Sequence, residues 1–199
     1  MRVRNTGFFL AALTLGLVGC QAEPDVERIE GLANVDGGNP IVPDVGMCPF
    51  PSSLYEIADT NTRTGRRLNF SGAPLPEGLE AEGFAHMDGY SRIPQISTLL
   101  DEVIDPSGLP SVEAPDSSLT VDSSVLLVNI ETLELVAVMA ELDRSSLADE
   151  GRTLLIRPLQ TLAENTHYGV LLTDALTTVS GEALTANDAV RALRDGIPT

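Results

Sequence analysis

Alternating apolar and polar positions mark two segments in the second half of the chain, Thr153–Pro158 and His167–Thr173. A strict two-residue period over this length indicates half-buried antiparallel strands rather than helix, because successive strand side chains point to opposite faces. The apolar positions of the two alternations are Leu154, Ile156, Tyr168, Val170 and Leu172. We predict that these side chains form part of the core.

The connection between these two strands carries Leu162, Thr166 and Tyr168. A Leu six residues and a Thr two residues before a strand-opening Tyr form the pattern of a tyrosine corner. In such a corner a buried phenol bonds backbone a few residues upstream and locks the crossing between two packed sheets. These three residues are predicted to be structural, and they indicate no chemistry.

Two further apolar alternations precede this motif, in Ser124–Ile130 and Leu135–Leu142. Their apolar faces consist of Leu126, Val128 and Ile130 in the first segment and of Val136, Val138, Ala140 and Leu142 in the second. Shorter strands are predicted at Arg66–Ser71 and near Glu182–Leu184. Short strands separated by turn signals indicate an all-β fold, an Ig-like β-sandwich.

The end of the chain carries the signals of a short helix. Thr185–Asn187 supply cap residues, Asp188–Arg194 the helix itself, and Gly196 a stop. The predicted organisation has four parts: a lipoprotein signal peptide over 1–19, a flexible acidic tether over 20–47, an Ig-like β-sandwich over 48–185, and a terminal helix or linker toward a downstream domain over 186–199.

The amino terminus has the features of a lipoprotein signal. Arg2 and Arg4 precede an uncharged run, Phe8–Gly19, which is too short to span a hydrocarbon core of about 30 Å as a helix. The run ends in Leu17-Val18-Gly19-Cys20, which resembles a bacterial lipobox. The resemblance implies cleavage between Gly19 and Cys20, acylation of Cys20, and attachment to the membrane through the acyl chains. By resemblance to known lipoproteins, Gln21 rather than Asp after the Cys implies the outer membrane of the cell envelope. The alternative is an ordinary secretory signal.

Composition limits the classes of partner and cofactor. The net charge is −17 and all 12 cationic residues are Arg, so the chain lacks the basic surface that nucleic-acid binding requires. His86 and His167 lie 81 residues apart without clustered cysteines, so we predict no metal site and no cofactor. If Cys20 is acylated, Cys48 is left to be buried, to pair with another chain, or to pair with a residue outside this sequence.

Three sets of segments together resemble the N-terminal domain of the bacterial virulence-factor lipase family. They are Pro49–Tyr55 with Thr64–Asn69, then Met87–Arg92, then Leu154–Leu159 with Thr166–Tyr168, Leu172–Asp174 and Gly181–Leu184. The resemblance covers Cys48–Asp195. It implies an Ig-like domain of a cell-surface or outer-membrane lipoprotein that precedes an α/β-hydrolase domain.

No catalytic residue is predicted in this chain. The hydrolase nucleophile elbow is Gly-x-Ser-x-Gly, and the closest segment, Gly89–Ile93, lacks the second Gly. His86, Asp88 and Ser91 lie too near one another in sequence to be placed independently as a triad. The sequence therefore predicts a non-catalytic scaffold for a downstream hydrolase domain. The alternative is a surface binding module for a glycan, a protein or a cation.

Overall fold

The computed structural model of the chain describes residues 28–29, 49–100, 102–144 and 153–199. Within these ranges the regular elements are short 3-10 turns, eight strands and one helix. The strands and the helix are β1 (Glu56–Ala58), β2 (Arg66–Leu68), β3 (Ile96–Leu99), β4 (Val125–Asn129), β5 (Leu135–Val136), β6 (Val138–Leu142), β7 (Thr153–Pro158), β8 (Tyr168–Leu172) and α1 (Asp188–Asp195). The predicted all-β class and the short C-terminal helix are confirmed.

The strands form three antiparallel sheets. Strands β1 and β2 make a hairpin, and two three-stranded sheets have the orders β3-β7-β6 and β5-β4-β8. Both three-stranded sheets contribute side chains to one core cluster, as do residues from the connecting segments. Its members are Leu100, Ile104, Val125, Leu127, Val136, Val138, Ala140, Leu154, Ile156, Leu162 and Leu176. The two three-stranded sheets therefore share one core, and the predicted core role of Leu154 and Ile156 is confirmed.

The chain crosses from one three-stranded sheet to the other at Ala137. The predicted continuous strand Leu135–Leu142 is divided there into β5 and β6. Val138 N–H, at the crossing, donates to Ser118 Oγ over 3.0 Å, and Ser118 Oγ donates to Pro115 O over 2.7 Å. Ser118 is fully buried. Its hydroxyl therefore supplies the partner that a buried backbone N–H needs at this point.

The core face of β4 differs from the prediction. Val125 and Leu127 join the core cluster. On the predicted apolar face Leu126 is buried, whereas Ile130 is 55% exposed. The reason is that Val125–Val128 is a continuous apolar run. Such a run offers an apolar residue to either face, so the two-residue period does not select the core side.

The core role predicted for Val170 and Leu172 is wrong. These two side chains are 38% and 36% exposed. Val170 lies opposite the buried Leu127 in the register of β8 and β4, so it points to the predicted side. However, among the described strands β8 is an edge strand of its sheet, and its outer apolar side chains stay partly exposed.

The first part of the described domain has a small core of its own. Tyr55, Leu68 and Phe70 are buried there, with Phe50 and Tyr90 packed against them. The predicted strand Arg66–Ser71 is limited to β2. This cluster holds the β1–β2 hairpin beside the two larger sheets, and Phe50 joins it to β3 through two backbone hydrogen bonds with Ser97.

Helix α1 begins at the predicted residue, Asp188, and ends at Asp195, one residue beyond the predicted Arg194. Asn187 Oδ1 accepts a hydrogen bond from Val190 N–H over 3.0 Å, and Gly196 adopts the left-handed conformation at φ 66° that favours glycine. The strand predicted near Glu182–Leu184 is reduced to an isolated bridge between Thr177 and Ala183.

The predicted signal peptide 1–19, the acylation site Cys20, the predicted tether 20–47 apart from Arg28 and Ile29, and Cys48 lie outside the described residues. Within the described ranges, no helix has the length and apolar character needed to cross a membrane.

Candidate functional site

A cleft of about 560 Å³ lies where the first part of the domain meets the connection between β7 and β8. We call it the corner cleft. Its lining includes Ile96, Leu127 and Val170 from the three-stranded sheets, together with polar residues of the flanking loops. The polar lining residues include Arg63, Asp88, Tyr90, Ser91, Arg92, Glu164, Thr166 and His167.

The predicted corner residues form one wall of the corner cleft. Tyr168 Oη accepts a hydrogen bond from Ala163 N–H over 3.0 Å, five residues upstream. This is the bond that a tyrosine corner requires, and β7 and β8 on either side of it belong to different sheets. Leu162 is buried in the core, and Thr166 Oγ1 donates to Glu164 O over 2.9 Å. Tyr168 itself is only half-buried, because β8 lies at an edge.

Arg92, on the opposite wall of the corner cleft, forms hydrogen bonds with the corner residue Leu162. Its backbone oxygen accepts from Leu162 N–H over 2.8 Å, and its Nε donates to Leu162 O over 2.6 Å. Its Nη1 also lies 3.1 Å from Glu164 Oε1, while Arg63 Nη2 lies 3.2 Å from the other carboxylate oxygen of Glu164. Glu164 thus joins two arginines that are distant in sequence. These ion pairs are exposed, so each contributes about 0–1 kcal/mol.

Tyr90 is a packing residue of the same region. Its hydroxyl donates to Ser52 O over 2.7 Å, and its ring meets Phe50 edge to face at 5.6 Å between centroids. Burial raises the pKa of the Tyr90 phenol above its ordinary value. The neutral phenol is therefore the form that the folded chain holds.

The side chains of His86, Asp88 and Ser91 are not joined by hydrogen bonds to one another in the described structure. Ser91 Oγ accepts from Ile93 N–H over 3.2 Å, which is a local turn contact. Thr64 Oγ1 donates to the backbone oxygen of Asp88. His86 is exposed.

His167 is exposed, with its Nδ1 at 4.0 Å from Glu131 Oε1. Among the described residues, no group of three or more His, Cys, Asp and Glu side chains is arranged to hold a metal ion.

Among the described residues no strand pairs with the outer edge of β8, and sequence reasoning missed this free edge. Ile130 N–H donates to His167 O, and Thr173 N–H donates to Ser124 O. With the register of β8 against β4, these bonds direct alternate backbone groups of β8 toward β4. The N–H and C=O groups of Tyr168, Val170 and Leu172 therefore point away from β4, toward the outer edge. The uncharged sequence Val170-Leu171-Leu172 was the available signal, because it interrupts the alternation.

Comparison with protein-family models and with curated proteins found no match to this chain. The function is therefore inferred from the amino-terminal motif, the arrangement of the sheets and the free edge of β8.

Proposed function

We propose that the mature chain is a non-catalytic, lipid-anchored Ig-like module of the bacterial cell envelope. The observation that carries the proposal is Leu17-Val18-Gly19-Cys20 at the end of a short apolar run, ahead of a folded all-β domain. Acyl chains on Cys20 would hold the module at the outer membrane, because several chains on one residue make a stable anchor.

The Ig-like assignment has support from the arrangement of the sheets. Two three-stranded antiparallel sheets share one core, and the Tyr168–Ala163 hydrogen bond lies at a crossing between them. A tyrosine hydroxyl bonded to upstream backbone at such a crossing is typical of Ig-like sandwiches.

Within this proposal the module is a scaffold for an α/β-hydrolase domain that follows it, as in the virulence-factor lipase family that the sequence resembles. The test is the coding sequence beyond Thr199. A downstream reading frame with a Gly-x-Ser-x-Gly elbow supports the scaffold role, and a stop codon without such a domain removes it.

Anchoring is tested by fractionating cells that express the full chain. The unchanged chain is expected in the membrane fraction, and Cys20→Ser is expected to move it to the soluble fraction. Cys48→Ser is the matched control, since it also removes one thiol but leaves the proposed acylation site intact. Equal membrane retention of Cys20→Ser and the unchanged chain would contradict lipid anchoring at Cys20.

The absence of catalysis is tested with short acyl esters. We expect the full chain to hydrolyse them no faster than buffer, and Ser91→Ala to have no effect, because Ser91 Oγ bonds the local backbone of Ile93. Hydrolysis that Ser91→Ala abolishes would overturn this part of the proposal.

A second candidate function is the capture of an extended polypeptide, and the free edge of β8 favours it. Tyr168 and Val170 line the corner cleft, and their outward backbone groups would pair with an added strand. The edge bears no charge or Pro of the kind that commonly protects sheet edges.

Selection from a displayed library of random peptides tests this second function with the full chain as bait. We expect enrichment of extended sequences and loss of their binding in Val170→Pro. That substitution removes one outward N–H and leaves the ladder with β4 intact. Val170→Thr, which keeps the N–H, is the matched control. Equal binding by both variants would remove the edge as the binding element.

A further inference from the structure

Ile29 lies in the sequence segment between the proposed anchor and the β-domain, and it packs against the opposite end of the chain. Its side chain is 6% exposed and forms a cluster with Ala189, Ala192 and Ile197. Its N–H donates to the backbone oxygen of Pro198 over 3.1 Å. Ile29 is thus held by both a side-chain contact and a backbone hydrogen bond.

Helix α1 is shaped to receive this side chain. Ala189 and Ala192 are three positions apart and so lie on the same face of the helix, and both are buried. Their small side chains let a branched apolar residue approach the helix closely. The stop at Gly196 then turns the chain so that Ile197 and Pro198 meet the same isoleucine.

We propose that Ile29 clamps the anchor segment to α1, so that the α1 end of the domain faces the membrane. This inference rests on the proposed acylation of Cys20. Ile29 follows Cys20 by only nine positions, and nine extended residues reach at most about 30 Å. Without the clamp, the 28 positions from Cys20 to Cys48 would allow a reach of about 100 Å.

The clamp changes which part of the predicted tether sets the distance from the membrane. Under the clamp, the length of chain between Cys20 and Ile29 limits the distance from the membrane, and the length of chain between Ile29 and Pro49 does not. The outer face of α1 carries Val190 and Leu193, which are 41% and 60% exposed. The clamp orients the domain so that this partly apolar helix is at its membrane-proximal end.

Matched insertions on the two sides of Ile29 test the clamp. A Gly-Ser segment of about 20 residues is placed either between Pro24 and Asp25 or between Gly37 and Gly38 in the full lipoprotein. A donor dye on Val190→Cys, in a Cys48→Ser background, reports energy transfer to headgroup-labelled acceptor lipids in phosphatidylethanolamine and phosphatidylglycerol vesicles. We expect the first insertion to lower the transfer efficiency and the second to leave it unchanged. An equal decrease for both insertions would overturn the clamp.

A second arm separates failure of the clamp from failure of the anchor. Amide hydrogen exchange of residues 188–195 needs no membrane. Ile29→Asp is expected to accelerate it by about tenfold or more, because the packing that protects the helix is lost. Ile93→Asp, at a side chain that is 69% exposed, is the matched control and should leave this exchange unchanged. Unchanged exchange in Ile29→Asp refutes the clamp, whereas an unacylated Cys20 with accelerated exchange refutes only the anchor.

Discussion

Loss of the Tyr168 hydrogen bond should lower the free energy of unfolding by an amount that depends on how exposed its two partners are. Tyr168→Phe removes the acceptor of Ala163 N–H and keeps the ring. A neutral hydrogen bond contributes about 0.5–1.5 kcal/mol, and a buried orphan group costs about 1–3 kcal/mol. Ala163 is exposed and Tyr168 is half-buried, so water can replace the lost partner. We expect a decrease of about 1 kcal/mol in the free energy of unfolding.

Urea unfolding followed by circular dichroism measures this difference. The midpoint should fall while the slope of the transition stays constant, since the surface exposed on unfolding is unchanged. The melting temperature should fall by about 2–4 °C, the shift expected for about 1 kcal/mol in a domain of this size. These changes should leave the overall fold intact.

Tyr90→Phe is the matched control for Tyr168→Phe. It also removes a tyrosine hydroxyl that bonds backbone, but this bond lies in the aromatic cluster and ends on Ser52. Adding Leu162→Ala distinguishes the two tyrosines. Leu162 precedes the bonded Ala163 in the corner. The effects of Leu162→Ala and Tyr168→Phe on the free energy of unfolding should therefore be coupled, whereas those of Leu162→Ala and Tyr90→Phe should add. Unchanged stability in Tyr168→Phe, or no coupling with Leu162→Ala, would refute the structural role assigned to the corner.

Three further predictions concern the core, the crossing at Ala137 and the loss of stability at acid pH. Leu154→Ala removes a fully buried side chain and should cost about 2–5 kcal/mol of unfolding free energy in urea titration, whereas Leu193→Ala, at an exposed position of α1, should change it by less than about 0.5 kcal/mol. Ser118→Ala leaves the Val138 N–H of the crossing without its partner and should cost about 1–3 kcal/mol. Ser117→Ala, at the exposed neighbouring residue, should be neutral, and equal effects of the two serine variants would contradict the role of Ser118. The hydrogen bond from Arg67 lowers the pKa of Asp59 below its ordinary value of 3.8. The ionised Asp59 carboxylate therefore stabilises the folded chain above pH 3.8, and this stabilisation is lost as the pH falls below that value. In thermal melts at successive pH values, Asp59→Asn should therefore lose less stability than the unchanged chain across this acid range, and parallel pH profiles would contradict the assignment.

Local pattern was sufficient to predict elements whose signals lie in adjacent residues. The alternation of Thr153–Pro158 predicted β7 and its core face, and the Asn187 cap and Gly196 stop predicted α1. These predictions succeeded because strand period and helix capping are set by residues close in sequence.

Properties that depend on neighbours distant in sequence could not be predicted in this way. The burial of Val170 depends on its place in an edge strand, and the face of β4 that enters the core depends on which sheet lies above it. The corner cleft likewise joins Arg63 and Arg92 to Glu164, across 101 and 72 residues of sequence. Ile29 meets α1 across most of the chain. No local period encodes such contacts.

The central proposal is a module anchored to the membrane through Cys20, and the mass of its amino-terminal peptide tests it most directly. The chain is extracted from the membrane fraction of expressing cells, digested, and measured by mass spectrometry. The proposal predicts that the first residue is Cys20 and that this peptide carries the added mass of acyl chains. A mature chain that begins at another residue, or that begins at an unmodified Cys20, would contradict it.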